Sequence, residues 1–187
     1  MDGRDLFSMD ISEFSSFLCS RRSVRHYTED DITDDVLSQI LLPTSSIPSA
    51  GALESWDAVI VRDKGIKEAL YDASFSQEHI LTAPVIIVVC ANYIRAMSRF
   101  AEEGIMYAIE EATVAATYMM LAAHAAGLCS CWTGGFDAVE VRETLLLPNH
   151  LRPVVLLTLG YALSIPTACE RMENSDHFHK EYWDAHR

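Results

Sequence analysis

Apolar positions along this chain switch between two spacings, and each switch marks an element. Ile11, Phe14, Phe17 and Leu18 fall on one side of a helical spiral, which predicts a short amphipathic helix over residues 11–19. Val36, Leu37, Ile40 and Leu41 repeat the pattern behind Thr33, whose hydroxyl suits a helix start. Pro43 ends that helix, because it has no N–H to give. Residues 44–51 are rich in Ser, Thr, Pro and Gly and read as a loop. Residues 56–61 read as a strand and residues 64–73 as a helix. From Pro84 to Cys90 the chain is an unbroken apolar, mostly β-branched run, the pattern of a central strand covered on both faces. Residues 102–126 are long enough for one dominant helix, alanine-rich and apolar around most of its circumference, so it belongs inside. Gly127 supplies its stop. Residues 129–133 form a short strand that ends at Gly134-Gly135. Asp137 then caps a helix over residues 138–146, and residues 153–161 form another apolar strand. The tail from Pro166 is more polar, yet Phe178, Tyr182 and Trp183 predict that it docks on something. No repeat, low-complexity tract or linker interrupts the pattern, so residues 1–187 read as one domain. Helices and strands alternate, which gives an α/β or α+β class with helices over a modest sheet.

Composition narrows the function classes. The chain has 187 residues, 50% of them apolar and 22% charged, as globular proteins have. Its net charge is 14 − 27 = −13. Nucleic acid and anionic membrane surfaces would be repelled, so neither is an expected partner. Residues 1–5 carry no apolar leader behind a basic start. The most apolar stretch, residues 112–126, is shorter than a typical membrane span, follows Glu110-Glu111 and contains His124. It reads as a buried helix. Five cysteines are an odd number and too sparse for a disulfide scaffold, so a cytoplasmic, reducing setting is expected.

Against that acidic background, Arg21, Arg22 and Arg25 sit within five residues, with Ser23 between them. They are three of only fourteen Lys and Arg side chains, a local reversal of the field. Guanidinium forks match phosphate or carboxylate. On residue types alone, a solvated turn beside Glu29-Asp30-Asp31 accounts for them as well. Pro48-Ser49-Ala50-Gly51 is either a plain turn or a loop that brings donors to a ligand. Thr133-Gly134-Gly135 ends a strand with glycines that let a backbone approach a planar ligand or a phosphate; as a plain strand-to-helix turn it is equally accounted for. Arg171 matters only where the tail folds back toward the first arginines. Cys129 and Cys131 lack the spacing of redox or zinc pairs, His177 and His179 lack a third ligand, and no metal site is expected. His124 reads as a satisfied core histidine, and Ser49 has no recognisable triad partners.

Taken in order, these segments resemble the FMN-dependent nitroreductase family. The likeness rests on residues 21–27, on Pro48-Ser49-Ala50-Gly51 with Trp56 opening a strand, and on residues 84–90. It continues through residues 122–128, residues 131–136, Val141-Arg142-Glu143, Leu147-Pro148 and residues 153–161. The resemblance implies an α+β fold, with a central, mostly antiparallel sheet flanked by helices. It also implies an intertwined homodimer with two FMN sites at its interface. Arg21, Arg22, Ser23 and Arg25 would hold the flavin phosphate, ribityl chain and ring edge, and Arg171 would add charge at the phosphate. Pro48, Ser49, Ala50 and Gly51 would come from the partner subunit. Thr133, Gly134 and Gly135 would lie near the reactive part of the ring. NADH or NADPH would deliver hydride, and a small acceptor such as a nitroaromatic, quinone or enone would receive it. The flavin carries that chemistry, so no side chain is nominated as catalytic. Two alternatives share the resemblance: a flavin-binding or interaction protein without reductase activity, and a divergent member that fragments flavin or dehalogenates aromatics. The chain departs from the family pattern at Ala52, where an asparagine is common, and at Glu54, where a glutamine is common.

Overall fold

The structure is a computed structural model and describes residues 9–183. The reading of residues 1–5 as lacking a leader lies outside the described residues. The helices are α1 (Ile11–Ser20), α2 (Asp34–Leu41), α3 (Lys64–Ala73), α4 (His79–Thr82), α5 (Tyr93–Phe100), α6 (Gly104–Ala125) and α7 (Ala138–Thr144). The strands are β1 (Trp56–Val61), β2 (Val85–Asn92), β3 (Cys129–Thr133) and β4 (Leu151–Gly160). They form one sheet in the order β1-β2-β4-β3, and every neighbouring pair is antiparallel. The α+β alternative is therefore the correct one.

All eight residues of β2 are buried, as an unbroken apolar run requires. Ile87 and Val89 face α6, packing with Leu157, Leu159, Ala112 and Ala116. Ile86 and Val88 face the other way, packing with Leu156, Leu70, Ile80 and Val141. The long helix thus lies on one face of the sheet while α3, α4 and α7 cover the other. The β2–β4 register slips between Val89 and Cys90, where Cys90 meets Pro153. Proline has no N–H for the ladder, so a slip at that position is physically apt.

Several boundaries differ from the sequence reading. The helix expected over residues 102–126 begins at Gly104, after a 3₁₀ turn at Ala101–Glu103. Gly104 is required there: a Cβ would lie 2.6 Å from the Ala96 carbonyl carbon of α5. The loop over residues 44–51 is largely 3₁₀, at Leu42–Ser46 and Ala50–Ala52, so Pro43 enters a turn that continues α2 rather than ending in open loop. Helix α5 was not expected from the sequence, although Asn92 caps it through a bond from the Arg95 N–H. Helix α1 forms as expected, but none of its residues is buried. The aromatic tail residues do not dock within the chain: Phe178, Tyr182 and Trp183 are 72%, 85% and 78% exposed. No described helix is long and apolar enough to cross a membrane.

Candidate functional site

The arginine segment is held by the outer edge of the sheet. Val24 N–H donates to the Ser130 carbonyl at 2.9 Å, and Ser23 bridges Ser130 in parallel register. Thr28 N–H donates to the Tyr161 carbonyl, and Leu163 N–H to the His26 carbonyl. Val24 and Tyr27 are buried between these ties, so the residues between and before them are turned outward. Tyr27 fixes the segment further, donating to or accepting from Thr158 Oγ1 at 2.8 Å. The buried positions at residues 24 and 27 separate this segment from a merely solvated turn.

Arg21, Arg22, Ser23, Arg25 and Arg171 line a single cavity of about 390 Å³. Residues 166–169 form its opposite wall, so the tail does fold back toward the first arginines. Among the described residues, no carboxylate pairs with any of these four guanidiniums; the ion pairs involve Arg62 and Arg95. One Arg22 nitrogen is committed, donating to the Cys19 and Arg21 carbonyls at the end of α1. Arg21 donates to Ser23 Oγ only at the long distance of 3.5 Å. The result is a cleft rich in unspent donors in a strongly acidic protein.

The turn at Thr133, Gly134 and Gly135 stands at the end of β3, three to five residues beyond the Ser130 tie. Gly134 and Gly135 are exposed, and among the described residues neither N–H has a protein acceptor. Thr133 is buried, with Oγ1 at 2.7 Å from His79 Nε2. The Gly135 carbonyl accepts from Gln77 Nε2 at 2.9 Å. Burial holds the His79 pKa down to about 4, helped by the positive charges of Arg25 and His26, so the ring is neutral at ordinary pH. Arg25 is thus electrically close both to the cleft and to the turn. Gln77 and His79 were missed by sequence reasoning, because nothing in a polar helix-to-strand connection announces partners 58 and 54 residues away.

Pro48, Ser49 and Ala50 line a second, separate cavity of about 250 Å³ with Tyr107, Glu110, Glu111 and Val114. No arginine lines it, so one chain does not bring the two halves of the expected site together. The loop is nevertheless rigidly held. Glu111, 4% exposed, accepts from Ala50 N–H at 2.8 Å and also from Ser55 N–H. Arg95 donates to the Glu54 and Trp56 carbonyls, and Arg99 to the Gly51 carbonyl at 3.2 Å. Gly51, Ala52 and Glu54 all have positive φ, at 61°, 55° and 48°. An asparagine tolerates that region better than alanine, so Ala52 carries backbone strain as well as lacking an amide.

Among the described residues, no group of three metal-ligating side chains exists. Cys131 is buried and Cys129 half-buried; burial raises both thiols, and Cys90 is pushed up to about 12. His124 is half-buried rather than in the core, meeting Ser20 Oγ at 2.7 Å and stacking on Phe17. Ser49 Oγ accepts from Glu54 N–H and so acts as a turn residue.

The architecture is therefore that of an α+β protein with a helix-flanked antiparallel sheet, an arginine-lined cleft without carboxylates on the sheet's outer edge, and a glycine turn further along that edge. The family model described as "Nitroreductase family" matches residues 18–80 and 74–161, and the chain belongs to that family. It is 33% identical over 182 residues to the "NADH dehydrogenase" of Thermus thermophilus, covering 82% of this chain and 89% of that one. It is 26% identical over 165 residues to the "FMN reductase [NAD(P)H]" of Bacillus subtilis, covering 81% and 66%. A solved structure of B. megaterium NfrA2 superposes with a TM-score of 0.86 at 25% identity, over 95% of this chain and 77% of that one.

Proposed function

We propose that the protein is an FMN-dependent NAD(P)H oxidoreductase that passes hydride to a small acceptor such as a nitroaromatic, quinone or enone, and that it works as a homodimer. The observation that carries this reading is the cleft of Arg21, Arg22, Arg25 and Arg171, unpaired with carboxylates among the described residues. Family membership and the named NAD(P)H-linked relatives support it.

The residues present fit FMN chemically. The cleft offers guanidinium and hydroxyl donors and is lined by no carboxylate, which suits a dianionic phosphate. The turn offers two unspent N–H groups, which suit the acceptor-rich edge of a flavin ring. FMN, when bound, supplies the hydride-accepting and hydride-donating chemistry between NAD(P)H and the acceptor. Arg21, Arg25 and Arg171, with Ser23, would hold the phosphate. Arg22 would contribute through the nitrogens not engaged by the α1 carbonyls. Gly134 and Gly135 would present their N–H groups to the ring, and Thr133 would fix their direction.

Pro48, Ser49, Ala50, Gly51 and Ala52 would complete the site from a second copy of the chain, since within one chain the first three line a separate cavity. Exposed apolar side chains on α5 and α6, including Ile94, Met97 and Met106, offer surface for that association.

Purified protein supplied with FMN is expected to show flavin absorbance that NADH or NADPH bleaches under anaerobic conditions. A colourless protein that takes up no added FMN overturns the reading. Bound flavin that neither nucleotide bleaches assigns the chain to flavin binding without reductase activity.

A further inference from the structure

The Thr133–Gly135 turn is gripped from behind by one short stretch of chain. Asp137 N–H donates to the Ala73 carbonyl at 2.8 Å, at the end of α3. Gln77 Nε2 donates to the Gly135 carbonyl at 2.9 Å and to the Ser74 carbonyl at 3.0 Å. His79 Nε2 meets Thr133 Oγ1 at 2.7 Å, with the imidazole only 3% exposed. Three ties therefore run from residues 73–79 to residues 133–137.

That stretch has an unusual backbone. Phe75 and Ser76 are consecutive non-glycine residues with φ of 57° and 60°. Each such residue costs about 1–2 kcal/mol, and a pair persists only where surrounding bonds over-determine it. The bonds are present: Phe75 N–H donates to the Asp72 carbonyl and Ser76 N–H to the Tyr71 carbonyl. Phe75 itself is 70% exposed in the chain, so burial of its side chain does not offset the strain there. What the geometry does accomplish is the delivery of Gln77 and His79 to the back of the turn.

The consequence lies on the front of the turn. The Thr133 hydroxyl is held at one end of the turn and the Gly135–Phe136 peptide at the other, so the two peptides that carry the Gly134 and Gly135 N–H groups lie between fixed points, and neither N–H has a protein acceptor among the described residues. Preorganised N–H groups act on a ligand only where their direction is set before charge develops.

We propose that Gln77 and His79 are positioning residues: they aim the Gly134 and Gly135 N–H groups at the bound flavin and thereby set its reduction potential. The inference rests on the FMN reading above. It concerns the ring end of the ligand, whereas affinity is supplied mostly by the arginine cleft.

The test uses the FMN-loaded full chain. Gln77→Leu removes the donor to Gly135, and His79→Leu removes the partner of Thr133. Each variant is expected to keep FMN affinity within about threefold, because the phosphate end is untouched. Each is expected to bind reduced FMN about tenfold less well relative to oxidised FMN, which is a midpoint potential lower by about 30 mV for two electrons. The visible absorption band of the bound flavin shifts with it. His79→Gln, which can still bond Thr133, is expected to keep the wild-type potential. Where Gln77→Leu yields no folded protein, the isosteric Gln77→Glu, which cannot donate to a carbonyl, is read in the same way. Wild-type potential and absorption band in both Leu variants overturn the positioning role and leave the FMN reading standing. A wild-type protein that takes up no FMN overturns both.

Discussion

At the scale of single residues, the proposed site divides into charges that would anchor the ligand and backbone groups that would tune it. Arg21→Ala and Arg25→Ala should weaken FMN binding by roughly 10- to 100-fold, the range of charge-assisted hydrogen bonds. Arg152→Ala is the comparison, since Arg152 is exposed on β4 and lines neither cavity. Equal FMN affinities for the three variants in a titration would contradict the assignment. Ala52→Asn puts a residue tolerant of positive φ where alanine now has φ 55°. A gain of about 1 kcal/mol, seen as about 2–4 °C in Tm, is expected, with FMN binding tighter or unchanged. Tenfold weaker FMN binding would show that this loop serves another ligand.

His79 adds a pH dependence. Its folded pKa, about 4, lies below the unfolded value of 6.5. The unfolded chain therefore binds more protons between those values, and the contribution to stability is full above pH 6.5 and lost as pH falls toward 4. Urea midpoints of wild type and His79→Gln across that window should converge toward pH 4, because glutamine has no proton to gain; parallel curves would refute this. The arginine cluster was legible because three guanidiniums break an acidic background. Gln77 and His79 were not, because their meaning comes from a turn more than fifty residues later.

At the scale of elements, strand β2 and helix α6 could be read directly, since full burial leaves an unbroken apolar signature in either case. The loop over residues 48–55 could be located but not understood. Its shape depends on Glu111 from α6 and on Arg95 and Arg99 from α5, the helix the apolar pattern failed to announce. Helix α5 is clearly amphipathic but only eight residues long and follows β2 without a break, so the sequence reading passed over it. Glu111→Ala leaves the Ala50 and Ser55 N–H groups without their acceptor, at a cost of about 2–3 kcal/mol. A lower urea midpoint is expected, together with loss of bleaching by NAD(P)H where the loop completes the site. An unchanged midpoint would show that water replaces the carboxylate freely. Gly51→Ala is expected to destabilise as well, since a Cβ there would stand 2.7 Å from Arg99 Nη1 at a φ of 61°.

At the scale of the whole molecule, the single chain leaves much apolar surface open. Ile11 and Phe14 on α1, Ile94 and Met97 on α5, Ile105 and Met106 on α6, and the tail aromatics are all exposed. The sequence signalled tail docking, and among the described residues Phe178, Tyr182 and Trp183 stay exposed; a second copy is the occupant the proposed homodimer would provide. Ile105→Asp or Met106→Lys should shift the protein toward monomer in sedimentation and release FMN with it. Dimers that persist in both variants would move the interface elsewhere. The tie between Val24 and Ser130 carries a last consequence. Both ends of the proposed ligand are measured along the same strand: the anchor is pinned at Ser130 and the first glycine of the turn, Gly134, comes four residues later. At about 3.3 Å per residue that is about 13 Å. Strand β3 is then a molecular ruler. In the proposed site it would sort ligands by span as well as by charge, and a flavin lacking its phosphate, though identical in its ring, would reach only one of the two marks.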